Sequence, residues 1–164
     1  MSYGDDWIKR GTKLEFAKVI VAPEIFRVEE QFYLPNGKTV MEGAKYFSWT
    51  MACDLIKYGK TPAGWRMMTL AESEMIQAHY NNGNSALLVL DLDGFIAPND
   101  MIEYSFSPKR GDHLILCRSQ QGCYWIGEVD NSLYPYIMEN SGMKLRTSSF
   151  YVSYGLPLIL VKDL

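Results

Sequence analysis

The chain has 164 residues, 48% of them apolar and 13% aromatic, with a formal net charge of −3 and a pI near 5.4. That size suits one domain burying about 68–70% of its unfolded surface, and the acidic balance offers no electrostatic footprint for nucleic acid. No run approaches the roughly 18 apolar residues of a membrane span, so membrane insertion is not expected.

The opening residues, MSYGDDWIKRG, carry acids where a secretory signal has bases, and a chain folded without export is expected. Residues 1–13 read as a polar arm around an isolated Trp7, either a frayed terminus or a docking segment. From Lys13 to Phe32 the pattern is strand-like: Leu14, Phe16, the run Val19–Ala22, then alternation over Ile25–Glu29. Pro23 ends any strand in that run or places it at an edge. Leu34-Pro35-Asn36-Gly37 is a turn signal.

Ser48 to Tyr58 predicts a helix capped by Ser48, with Trp49, Ala52, Cys53 and Ile56 on one face and Gly59 as its stop. The most informative stretch follows, TPAGWRMMTLAESEMI over residues 61–76. Pro62 and Gly64 predict a turn, Trp65 an apolar anchor, and Thr69 with Glu72 a capping box. Leu70, Ala71, Met75 and Ile76 have the spacing of the buried face of the helix that follows, which ends near residues 79–82. Ala86–Leu92 reads as a strand. Beyond Gly94 the pattern is short strands over Ile102–Phe106, His113–Arg118, Cys123–Val129, Tyr134–Glu139, Met143–Arg146, Tyr151–Tyr154 and Leu158–Val161, separated by turn chemistry. Helices in the first half and a β-meander in the second predict an α+β fold.

Candidate chemistry is sparse. With Gly94 as the sixth residue of a calcium loop, Asp91 and Asp93 fall on ligand positions, but Val89 occupies the first and Asp100 replaces the bidentate Glu of the twelfth. Calcium at Asp91, Asp93 and Asp100 is therefore only a partial motif, and no cofactor is assigned. Three cysteines, Cys53, Cys117 and Cys123, make an odd number and argue for thiols in a reducing compartment. No glycine-rich phosphate loop and no local nucleophile–His–acid pattern is visible, so a non-enzyme is expected.

TPAGWRMMTLAESEMI resembles the CP-x-GWRLPT-x-x-EW-x-x-L signature of the Fibrobacter succinogenes major paralogous domain family, whose fold is C-type-lectin-like. Tyr46–Cys53, Gly94-Phe95, Tyr124-Trp125 and the segments Ser153–Gly155 and Val161–Asp163 resemble further pieces of that family in the same order. The resemblance covers about residues 44–164 and implies a C-type-lectin-like domain there; residues 1–43 lie outside it and are expected as an N-terminal arm with strands that serves as an attachment segment. The residues expected to be structural, from their turn, capping and helix-face chemistry, are Trp49, Pro62, Gly64, Trp65, Thr69 and Glu72. The family's two cysteines fall on Thr61 and Leu160 here, which implies a missing disulfide and folding in the cytoplasm.

The resulting expectation is a non-enzymatic phage virion protein, such as a capsid decoration, head fibre or tail-tip component. It would contact other virion proteins and its own copies, and a host-surface glycan or protein. Tyr104, Tyr124, Trp125, Tyr134 and Tyr136 are the candidate contacts, with Trp125 equally readable as core. The alternatives are a bacterial surface adhesin or glycan-binding module and, lower, a sulfatase-activating-type oxidase using Cys117 and Cys123.

Overall fold

In the computed structural model, residues 3–35, 37, 39–83, 95–98, 113–116, 122–140, 144–152 and 154–164 are described. The predicted strands at Ala86–Leu92 and Ile102–Phe106 lie outside them, as do Tyr104, Asp91, Asp93, Asp100 and Cys117.

Helix α1 (Tyr3–Arg10) has Asp5 and Asp6 in its first turn and Lys9 and Arg10 in its last, an order that complements the helix dipole. Arg10 pairs with Asp6 one turn back at 2.6 Å and reaches Glu24 at 3.3 Å. Trp7 is fully buried, with its ring edge-on to Trp65 at a centroid distance of 5.3 Å. The residues expected to form a polar arm thus begin the core.

Strands β1 (Thr12–Leu14) and β2 (Val19–Val21) run antiparallel. Together with β5 (Trp65–Met67) and the terminal strand β11 (Leu160–Asp163) they form an antiparallel sheet in the order β1-β2-β11-β5. Pro23 follows the end of β2, but β2 lies inside the sheet and not at its edge. A boundary at residue 43 would cut through this sheet and its core, so residues 1–43 are not a detachable segment. Residues 25–28 form no strand. The amides of Phe26 and Val28 donate instead to the distant carbonyls of Leu158 and Ala44, at 2.9 and 3.0 Å.

The sheet is apolar on both faces. Ile20 and Leu160 point into one cluster, which receives Trp7 from α1 and Met51, Ala52 and Leu55 from α2 (Trp49–Lys57). Val19, Val21 and Val161 point into a second cluster, which receives Ile76 from α3 (Leu70–Asn81). This is the period-two geometry of a strand, used here to feed two cores. Ser48 caps α2 as expected, accepting from the Met51 amide at 3.1 Å.

α3 begins at the predicted capping box, but its buried face differs from the expected one. Ser73, Ile76 and Gln77 face inward, while Ala71 and Met75 are exposed. Two polar residues can be buried because Gln77 donates to Ser73 and to Thr147, at 3.0 and 2.8 Å.

A second sheet, in the order β10-β9-β8, is built from β8 (Gly122–Val129), β9 (Pro135–Asn140) and β10 (Leu145–Ser149). Asn81 at the end of α3 both donates to and accepts from the backbone of Leu145, at 2.7 Å each way, fixing the helix to β10. Two short antiparallel pairs complete the described strands: β3 (Phe32–Tyr33) with β4 (Thr39–Val40), around the predicted Pro35–Gly37 turn, and β6 (Phe95–Pro98) with β7 (His113–Leu116). The chain is thus a mixed helix-and-strand, α+β structure with antiparallel sheets. Tyr151, Val152 and Tyr154, expected within a strand, lie in none, and the Tyr154 amide donates to the Tyr151 carbonyl oxygen at 3.1 Å.

Candidate binding surface

The Gly64–Glu72 segment is a staple. Gly64 adopts φ +83°, a left-handed conformation that glycine enters without steric cost, and a Cβ there would collide with the ammonium group of Lys162. Trp65 is then turned into the core, and Thr61 Oγ1 donates to its carbonyl oxygen at 3.1 Å. Arg66 grips Glu72 with two parallel bonds of 2.8 Å and also pairs with Asp163 at 2.6 Å.

Glu72 therefore serves twice, accepting from the Thr69 amide at 3.0 Å as part of the capping box and from Arg66 across the turn. The Arg66 guanidinium, aided by the Thr69 amide, holds the Glu72 carboxyl below its ordinary range against the opposing effect of burial. Glu128 adds an acceptor for the Leu70 amide, and the Gly127 amide donates to the Met68 carbonyl oxygen at 2.9 Å. These contacts join the turn, α3, β8 and the terminal strand. Pro62, Gly64, Trp65, Thr69 and Glu72 all lie in this architecture, and Arg66 is the member that sequence reasoning missed.

Of the contact candidates, Tyr124 and Trp125 are fully buried. They are consecutive on β8, so one enters each apolar cluster, and Trp125 Nε1 donates to the Phe47 carbonyl oxygen at 2.7 Å. Both are core residues, which corrects the expectation that Tyr124 meets a ligand and agrees with the core reading of Trp125. Tyr136 is half-buried and packs against the second cluster. Trp49 is half-buried as well, its indole donating to the Ile126 carbonyl oxygen at 2.9 Å.

Tyr134 is different. It stands at the β8–β9 hairpin tip, where Asp130 Oδ1 accepts from the amides of Ser132 and Tyr134 at 2.8 and 2.9 Å. The tip places Leu133 at φ +65°, a sterically costly conformation for a branched side chain, and leaves it 78% exposed. Tyr134 meets Tyr151 edge-to-face at 5.4 Å, and Tyr151 meets Tyr154 at 5.9 Å. Both Tyr134 and Tyr151 remain exposed.

The backbone beneath is tied down on two sides. The Phe150 amide donates to the Pro135 carbonyl oxygen, and the Trp49 amide to that of Val152, at 3.1 Å each. No Asp, Glu, Lys, Arg or His occurs in residues 131–138 or 147–161, so this surface is aromatic, aliphatic and hydroxyl-tipped. Tyrosines of this kind offer large contact area at low entropic cost and are enriched at interfaces.

Cys53 is half-buried, and burial pushes its thiol up to about 11, the opposite of an activated nucleophile. Cys123 is buried in β8. Among the described residues no group of three or more His, Cys, Asp or Glu could hold a metal ion, and no helix is long and apolar enough to cross a membrane. No protein-family model, no curated protein and no solved structure matches this chain.

Proposed function

We propose that the chain is a non-enzymatic phage virion component, a capsid decoration, head fibre or tail-tip protein, that uses a C-type-lectin-like frame to present a tyrosine surface to a partner. The observation that carries this reading is the exposed surface of Leu133, Tyr134 and Tyr151 on a firmly bonded backbone. Rigid anchors of this type bind protein surfaces with little ordering cost.

The lectin-like frame is supported by the fact that the motif residues carrying the family resemblance are those that build the staple. Thr61 and Leu160, which stand where that family has cysteines, are satisfied without sulfur: Thr61 bonds the Trp65 carbonyl oxygen, and Leu160 is fully buried. This agrees with folding in a host cytoplasm before assembly. Because residues 1–43 are woven into the core, attachment to other virion proteins or further copies is assigned to the tyrosine surface, not to a separable arm.

The test is the location of the chain in gradient-purified particles. Co-migration with capsid proteins at fixed stoichiometry is expected, and recovery solely in soluble or envelope fractions would reject the virion reading. A bacterial surface adhesin or glycan-binding module is the second reading, favoured by the same exposed tyrosine rings, whose apolar faces and hydroxyls also suit sugars. Specific binding on a glycan array, sensitive to a chelator, would favour that alternative.

A further inference from the structure

We infer that the cavity beside the staple binds a zwitterionic amino compound of about dipeptide size with an apolar side chain. This site is separate from the tyrosine surface, and the argument for it does not depend on that surface.

The cavity is a cleft of about 600 Å³, open to solvent on one side, bounded by α1, residues 26–31, the 59–63 turn and Lys162 of β11. That volume lies within the range of about 300–1,000 Å³ usual for small-molecule sites. Its apolar lining includes Ile8 and Phe26, which suits an aliphatic or aromatic side chain.

Its charges are divided by element. The acids, Asp5, Glu29 and Glu30, come from α1 and the bend at residues 29–30, whereas the cations, Lys60 and Lys162, come from the turn and the terminal strand. Glu29 and Glu30 are exposed to solvent and, among the described residues, have no ion-pair partner that would hold them away from a ligand. The Lys162 ammonium makes one long bond, to the Ala63 carbonyl oxygen at 3.4 Å, and carries further protons for a ligand.

The position of Lys162 is prepared by the fold. Its ammonium lies against Gly64, where any Cβ would displace it, so the glycine of the staple also holds open the place of this cation. A nucleotide or another phosphate would meet an excess of carboxylates, and a simple amine would meet two lysines. A ligand carrying one amine and one carboxylate meets Glu29 and Glu30 with the amine and Lys162 with the carboxylate.

Calorimetric titration of the full chain with leucyl-phenylalanine, its N-acetyl form and its C-terminal amide tests this directly. The free dipeptide should bind saturably, and each blocked form should bind roughly tenfold or more weakly, the loss expected for one charge-assisted hydrogen bond. Lys162→Met should erase the preference for the free form over the amide. Glu29→Gln with Glu30→Gln should erase the preference over the N-acetyl form. Three results would overturn the proposal: no saturable binding at millimolar dipeptide, equal binding of all three forms, or preferences that survive both substitutions. The comparison among ligands uses the unmodified chain, so it stands even if a variant folds poorly.

Discussion

Two tight turns of this chain do opposite things with the same backbone device. At Gly64 and at Leu133 the chain enters the left-handed region, with φ of +83° and +65°. In the first turn the residue is glycine, the next side chain is buried, and Arg66 ties the bend to α3 and the last strand. In the second the residue is leucine, its side chain stands in solvent, and the hydrogen bonds run back to Asp130 within the same hairpin. The first arrangement is explained by folding alone. The hairpin tip calls for a left-handed residue, but glycine or asparagine would fill it at lower cost than an exposed leucine next to Tyr134, and such outliers cluster at functional sites.

The largest expected effect removes the foundation of the first turn. Deleting residues 1–43 takes away Trp7, β1 and β2, and the remaining chain is expected to show no cooperative unfolding transition in a calorimetric melt. A sharp transition would show that the first turn does not need them.

Truncating the aromatic residue of each turn sharpens the contrast. Trp65→Ala should cost about 3–5 kcal/mol of stability by denaturant titration. Tyr134→Ala should cost about 1 kcal/mol or less, since it loses little beyond one exposed edge-to-face pair. Comparable losses at both sites would erase the distinction.

Removing the ion pair comes next. Glu72→Gln should cost about 1.5–3 kcal/mol at neutral pH, the range for a hydrogen-bonded charge. Arg66 lowers the Glu72 carboxyl in the folded chain below the ordinary 4.5, so the native state binds fewer protons than the unfolded one. The contribution is complete above 4.5 and is lost as pH falls through the lowered native value. Denaturant midpoints of parent and variant should therefore converge in acid, and a gap that widens there would contradict the assignment. The smallest effect has the opposite sign. Leu133→Asn should raise stability by about 0.5–1 kcal/mol, because asparagine tolerates the left-handed conformation better.

Local chemistry was the legible part. The Ser48 cap, the Thr69–Glu72 box and the Pro35–Gly37 turn depend on neighbours within a few residues, and all three appear where spacing places them. What depends on distant partners was hidden. Arg66 pairs with a residue 97 positions away, so its role could not be read from the turn. Trp7 looked isolated because one helix of eight residues shows too short a pattern, and its partner Trp65 lies in another element. The buried face of α3 was misjudged because Ser73 and Gln77 are polar but satisfied by each other and by Thr147. Tyr124 and Trp125 resembled a display pair because a strand buried on both faces shows no alternation of polarity. Tyr134 was found on residue type alone. Its neighbour Tyr151 was not, since their ring contact joins segments distant in the chain.

The central claim, that the staple builds the fold while the tyrosine surface meets a partner, is tested most directly by one double variant. Tyr134→Ala with Tyr151→Ala and the parent chain would be mixed separately with particles stripped of the endogenous protein, sedimented, and compared by thermal melting. The account predicts that the variant melts within about 5 °C of the parent yet stays in the supernatant. Co-sedimentation equal to the parent, or a loss of binding accompanied by loss of the fold, would contradict it.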